Sequence, residues 1–171
     1  MGKGKLFGLL AVFAAISLVT ASGAFTTVSA ERTATVNVAG DESALLALEP
    51  AAGPNGGEYA RIESGELELN LAGYNSSATG VNPNAVTDFD SVFVITNQGT
   101  QEVAVNISDS GPNNNSVTFY NGSVSNTLED GGSETLSPGE SVVVSIEVDT
   151  TEVDGTPTLI DEITISAEAT N

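Results

Sequence analysis

Hydrophobic and polar residues alternate with period two over most of the chain beyond residue 32. The runs Thr33-Ala34-Thr35-Val36-Asn37-Val38, Glu66-Leu67-Glu68-Leu69-Asn70-Leu71 and Ser91-Val92-Phe93-Val94-Ile95-Thr96 all do so. Residues 101–108 (QEVAVNIS), 141–148 (SVVVSIEV) and 162–169 (EITISAEA) repeat the pattern. A period of two sends successive side chains to opposite faces, so each run predicts a strand with one buried and one wetted face. Turn chemistry separates the runs at Asn97-Gln98-Gly99-Thr100, Glu129-Asp130-Gly131-Gly132 and Ser137-Pro138-Gly139-Glu140. The first of these joins two alternating runs directly and predicts a hairpin. Helical periodicity is nearly absent. Residues 43–48 (SALLAL) fit a helical turn or a buried strand, residues 82–89 leave room for a short helical turn, and 50–58 and 74–90 read as loops. Roughly seven to nine short strands with frequent turns predict an all-β fold, a two-sheet antiparallel β-sandwich of jelly-roll type.

The first residues follow a different rule. Residues 1–5 are basic, 6–19 form the apolar run LFGLLAVFAAISLV, and 20–24 (TASGA) are small and polar. That is the layout of a secretory signal, a signal helix preceding the sandwich. Its 14 apolar residues fall short of the roughly 20 that span a bilayer. Cleavage is expected between Ala24 and Phe25; Val28-Ser29-Ala30 offers a second site as late as residue 30. No twin arginine is present, so the general secretory route is expected. A competing reading starts from Lys3-Gly4, since archaeal pilin precursors are cut after a basic-Gly pair and keep their apolar segment. Here Lys5 interrupts that approach, and TASGA fits ordinary cleavage better. The expected organisation is signal 1–24, an N-terminal strand 25–38 and a sandwich 39–171. The protein is then secreted to the cell surface and meets the membrane only through its signal before cleavage. No second apolar run follows, so no C-terminal anchor is expected. The 147 residues after Ala24 suit a single core.

Charge narrows the setting. Beyond the signal, Arg32 and Arg61 alone oppose 23 acidic residues, a net charge of −21, while 40% of the chain is hydrophobic. Such a domain repels itself in dilute buffer. Concentrated salt relieves it, because the Debye length shrinks from about 10 Å at 0.1 M to about 3 Å at 1 M. The hydrophobic content is too high for a disordered acidic chain, so the charge points to a halophilic archaeon. Nucleic acid is excluded as a partner, since phosphate binding needs clustered Lys and Arg.

Catalytic chemistry has little to work with. The chain has no His, Cys or Trp, and no Lys after the signal. Serine therefore lacks its usual base, a zinc-protease helix is impossible, and disulfides and thiolate metal sites are excluded. Asp88 with Asp90, or Asp161 with Glu162, could form a carboxylate pair of glycosidase type. Among so many acids a solvated surface is the better reading, so no enzyme and no cofactor are expected. Asp88, Asp90, Glu129, Asp130, Asp149 and Asp154 lie in expected loops or strand ends, where oxygen clusters suit hard cations. No Asp-x-Asp-x-Asp-Gly loop is present, and no residues are assigned to a metal. Four Asn-x-Ser acceptors, at Asn75, Asn106, Asn114 and Asn121, are N-glycosylation candidates in an exported protein. Asn114 and Asn121 stand in turn-rich sequence and are favoured; Asn106 depends on which face of its strand it occupies.

The junction SGAFTTVSAERTATVNVAGDESALLALEP resembles the start of the camelysin/TasA family of exported fibre and matrix proteins. Ala24-Phe25-Thr26-Thr27 matches that family's Ala-Phe element. The run from Thr33 to Val38 matches its Thr-rich strand, and Ala39-Gly40-Asp41 with Leu45-Leu46-Ala47-Leu48 a diverged second strand. Phe25-Thr26-Thr27 replaces the family's Phe-Ser-Asp, and the specific match covers about 25 residues. The chain is also similar to haloarchaeal secreted β-sandwich proteins of unknown function. The resemblance implies a jelly-roll subunit whose N-terminal strand, carrying Thr33, Ala34, Val36 and Val38, is donated to the next copy. Donation of this kind is strand addition to a sheet edge, and head-to-tail it builds open filaments. The expectation is a non-enzymatic structural protein of the cell surface, fibres or biofilm matrix that self-associates into filaments or joins cell-envelope proteins. The alternative is a monomeric surface module that binds a ligand or divalent cations.

Overall fold

A computed structural model describes residues 39–122, 126–129, 131–155 and 158–170. The signal, both cleavage sites, the run from Thr33 to Val38, Asp130 and the Ser123 that completes the Asn121 acceptor lie outside the described residues. The rest is the expected all-β antiparallel sandwich. Nine strands are described: β1 Leu46–Pro50, β2 Ala60–Glu63, β3 Glu66–Leu69, β4 Val86–Asn97, β5 Val103–Ser110, β6 Val117–Asn121, β7 Glu134–Leu136, β8 Ser141–Asp149 and β9 Glu162–Ala169. One sheet has the order β1-β4-β8-β6; a second has β7-β5-β9; β2 and β3 form a separate hairpin. All pairings are antiparallel.

The alternation produces this layering directly. Phe93 and Ile95 of β4, with Val142, Val144, Ile146 and Val148 of β8, send their side chains inward, and all are buried. Phe119 of β6 meets Phe93 edge-on, with ring centroids 6.5 Å apart. Val105 and Ile107 of β5 supply the opposing layer at 0% exposure. Between the pairs Phe89–Ile146 and Phe93–Val144, the residues Asp90, Ser91 and Val92 stand against Ser145 alone. Ser91 adopts φ 55° in this bulge, and its N–H donates to the buried Ser145 Oγ at 3.0 Å. Bulges bend a strand and raise its twist, which lets β4 run for 12 residues across the whole sandwich.

Three expectations are corrected. The connector Asn97-Gln98-Gly99-Thr100 is not a hairpin, because β4 lies in the first sheet and β5 in the second. It crosses between layers, held by the buried Asn97 amide, which donates to Gln101 C=O at 2.8 Å and Leu136 C=O at 2.9 Å. The segment 50–58, read as a loop, holds all but the last residue of the helix α1 Pro54–Tyr59. Proline at its start is compatible with a first helical turn. Packing overrides the poor helix propensity of its two glycines, since Tyr59 contacts Phe89 edge-on at 4.9 Å and Asn55 Nδ2 donates to Asp90 C=O at 2.7 Å. Residues 82–89 hold no helical turn; β4 begins at Val86. The segment 43–48 resolves into the end of a 3-10 turn, Asp41–Ser43, followed by β1.

Candidate functional site

The two layers are closed along one side and open along the other. On the closed side Leu128 links them, its N–H donating to Phe119 C=O and its C=O accepting from Ile107 N–H, both at 2.9 Å. On the open side, among the described residues, β9 forms a ladder with β5 alone and β3 with β2 alone. Among the described residues no ladder joins β3 to β9. Both border one groove of about 980 Å³. Phe93, Phe119, Ile146 and Val148 form its buried floor, while Leu67, Leu69, Ile163 and Ile165 on β3 and β9 are half-buried at its sides.

The groove wall on the hairpin side is held by specific bonds. Ser64 at φ 55° and Gly65 at φ 90° make the two-residue turn between β2 and β3, a conformation suited to tight hairpins. The Asp41 carboxylate accepts the Leu67 N–H at 2.7 Å, and Asp41 N–H donates to Gly65 C=O at 2.8 Å. One backbone donor on the outward side of β3 is thereby satisfied where the chain enters the domain. Arg61 bonds Glu68 at 3.1 Å across the hairpin and stacks 4.1 Å from the Tyr74 ring centre. The bond to Glu68 raises the Arg61 pKa, and burial, ahead of the neighbouring charges, raises that of Tyr74. This stack ties the loop after β3 to the hairpin.

The residues singled out in the sequence are dispersed. Asp88 and Asp90 are exposed on β4, Asp149 ends β8, Asp154 is exposed in a loop, and Glu129 is buried beside β6, where its Oε2 accepts the Phe119 N–H at 3.3 Å. Among the described residues no three carboxylates gather as a metal site would require. Asp161 and Glu162 border the groove mouth. Asn75 is exposed in the loop after β3; Asn106 lies half-buried in β5; Asn114 opens a short 3-10 turn, Asn114–Ser116; and Asn121 ends β6. Sequence reasoning missed the groove itself. Leu67, Leu69, Ile163 and Ile165 carry the same alternation as any core position, and nothing local tells whether an inward residue finds a partner layer.

Fold and groove together define the class, an acidic β-sandwich with an apolar groove between β3 and β9. A family model described as a protein of unknown function (DUF1102) matches residues 38–171. The chain belongs to that family. No curated protein matches it.

Proposed function

We propose that this is a non-enzymatic extracellular structural protein of a halophilic archaeon, built into cell-surface fibres or matrix, in which the N-terminal strand of one copy fills the groove of the next. The observation that carries this reading is the apolar groove bordered by the edge of β9 that pairs with no strand among the described residues. An apolar surface left to water forfeits about 25 cal/mol for each Å² that a partner could cover, and an open sheet edge invites another strand. The run from Thr33 to Val38 has the alternation such a slot accepts, with Ala34, Val36 and Val38 on one face. Of the two edges, β9 suits an incoming strand better. It spans eight residues, whereas β3 spans four and already gives its Leu67 N–H to Asp41. The resemblance of the N-terminal junction to camelysin/TasA proteins supports the same reading, as does the acidic composition for the saline setting.

A second reading rests on the same groove. Its volume falls at the upper end of the roughly 300–1,000 Å³ of small-molecule pockets, so a secreted monomeric module holding an apolar ligand is the alternative.

Electron microscopy of the mature protein in multi-molar salt separates the two. Filaments are expected from the intact chain, and none after Val36→Asp with Val38→Asp on the donated strand or Ile163→Asp with Ile165→Asp on the accepting wall. A chain that stays monomeric at millimolar concentration, with residues 33–38 paired in its own sheet, would overturn the fibre reading in favour of the monomeric module.

A further inference from the structure

We infer that Asn75 is the residue of this chain that carries an N-linked glycan, and that Asn106 never does. The inference rests on the reading that the chain is exported, and it goes beyond that reading in assigning the modification to one side chain.

The four acceptors differ in what their amide nitrogens already do. N-glycosylation replaces one hydrogen of Nδ2 with a sugar carbon. The nitrogen displaces a lipid-linked phosphate from the anomeric carbon of an activated glycan: the N–C bond forms, the C–O bond to phosphate breaks, and the amide proton leaves to a base of the transferase. A side chain that needs both hydrogens for its own bonds loses one. Asn106 is such a case. Its Nδ2 donates to Leu128 C=O at 2.8 Å and to Gly132 C=O at 2.7 Å, fastening the turn before β7 onto β5. A sugar there would break one of these two bonds. Asn121 is half-buried and gives its Nδ2 to Glu134 at 2.7 Å, and Asn114 is half-buried in its 3-10 turn.

Asn75 differs from all three in exposure and from Asn106 in the number of bonds its amide nitrogen makes; the Nδ2 of Asn121 and that of Asn114 each make one bond, the latter to Asp109 at 3.5 Å. Asn75 is exposed, as are Ser76 and Ser77, and it lies on a surface loop. Its Nδ2 makes a single bond, to Glu58 Oε2 at 2.9 Å, and its backbone N–H donates to Glu58 Oε1 at 3.1 Å. After transfer the nitrogen keeps one hydrogen, enough for the Glu58 bond. Glu58 in α1 then keeps its bonds to the modified residue.

The test is peptide mass spectrometry of protein purified from its native host, with the N-terminus read from the same sample. A start at Phe25 or Glu31 reports export independently of the glycan. Glycan on the Asn75 peptide, lost in Ser77→Ala and kept in Ser76→Ala, is the expected result, because only Ser77 supplies the acceptor's hydroxyl. An exported, processed chain with Asn75 bare, or with glycan on Asn106, would overturn the assignment while leaving the export reading intact. An unprocessed chain without glycan would overturn both.

Discussion

Asp88 and Glu147 stand directly opposite one another across β4 and β8, two carboxylates in one register pair. Glu63 and Glu66 face each other in the same way where the β2–β3 hairpin closes. Like charges placed opposite in antiparallel strands destabilise the pairing. Among the described residues the ion pairs are those of Arg61, with Glu63 at 3.5 Å and Glu68 at 3.1 Å, and both are half-exposed, where such pairs contribute little. Ions from solution are therefore expected to stabilise the fold by screening these carboxylates from one another.

Thermal stability is expected to climb with salt, most steeply below about 1 M, where the Debye length is still contracting toward about 3 Å. Replacing Glu147 with Gln should stabilise the domain at low salt by about 0.5 kcal/mol. That gain should vanish at multi-molar salt, because the removed repulsion is already screened. Melting midpoints of both proteins across a salt series check this, and parallel curves would show that the Asp88–Glu147 contact is not what salt relieves.

The paired glycines of α1 are expected to respond oppositely to substitution. A Cβ on Gly56 would overlap the carbonyl of Ala51, whereas the space around Gly57 is open. Gly57→Ala should leave stability unchanged or raise it by up to about 1 kcal/mol through helix propensity. Gly56→Ala should lower it, because backbone must move to admit the methyl group. Denaturant midpoints of the two variants, measured side by side, give the sign of each.

The longer strands were legible from their alternation, and residues 162–169 form β9 without a residue's error, whereas the short β2, β6 and β7 were not read from the sequence. Sheet membership was not legible. Asn97 looks like an ordinary turn residue, yet it marks the passage from one layer to the other, and its role depends on Leu136, far away in sequence. The helix α1 was hidden for a related reason, since its Pro-Asn-Gly-Gly start reads as a turn until Phe89 is there to pack on Tyr59. The groove was least visible of all. It is defined by the pairing that β3 and β9 do not make with each other, and period-two patterning carries no trace of a missing neighbour.

Acidification is expected to act through local hydroxyl bonds as well as through net charge. The Thr151 hydroxyl donates to Asp149 Oδ1 at 2.6 Å and the Thr151 N–H at 2.9 Å, and these bonds hold the Asp149 pKa below the ordinary aspartate range. A folded-state pKa below the unfolded value means the bonds stabilise the fold above the unfolded pKa and are lost as pH falls through the folded one. Thr151→Val removes the hydroxyl and keeps the backbone donor. The Asp149 carboxyl should then titrate at higher pH, read by carbon-detected NMR, with the acid loss of stability correspondingly smaller.

Asn97 is expected to be the most sensitive polar position of the sandwich. It is 2% exposed; its Nδ2 donates to two carbonyls, those of Gln101 and Leu136, and its Oδ1 accepts the Gly99 N–H at 2.9 Å. Its backbone is equally committed, donating to Glu140 C=O and accepting from Gly139 N–H. Asn97→Ala should cost about 2–4 kcal/mol, since a buried carbonyl and an amide lose their partners together. Asn97→Asp should cost more at neutral pH, because a carboxylate cannot donate and would face two carbonyl oxygens. Burial and those oxygens would raise its folded pKa, so its stability should recover as pH falls toward the range where the carboxyl is protonated and can donate once. Chemical denaturation of both variants between pH 4 and pH 7, roughly the span over which such a group titrates, checks the order and the direction. Equal losses for Ala and Asp, independent of pH, would show that packing around Asn97, rather than its two donated bonds, holds the crossing between the sheets.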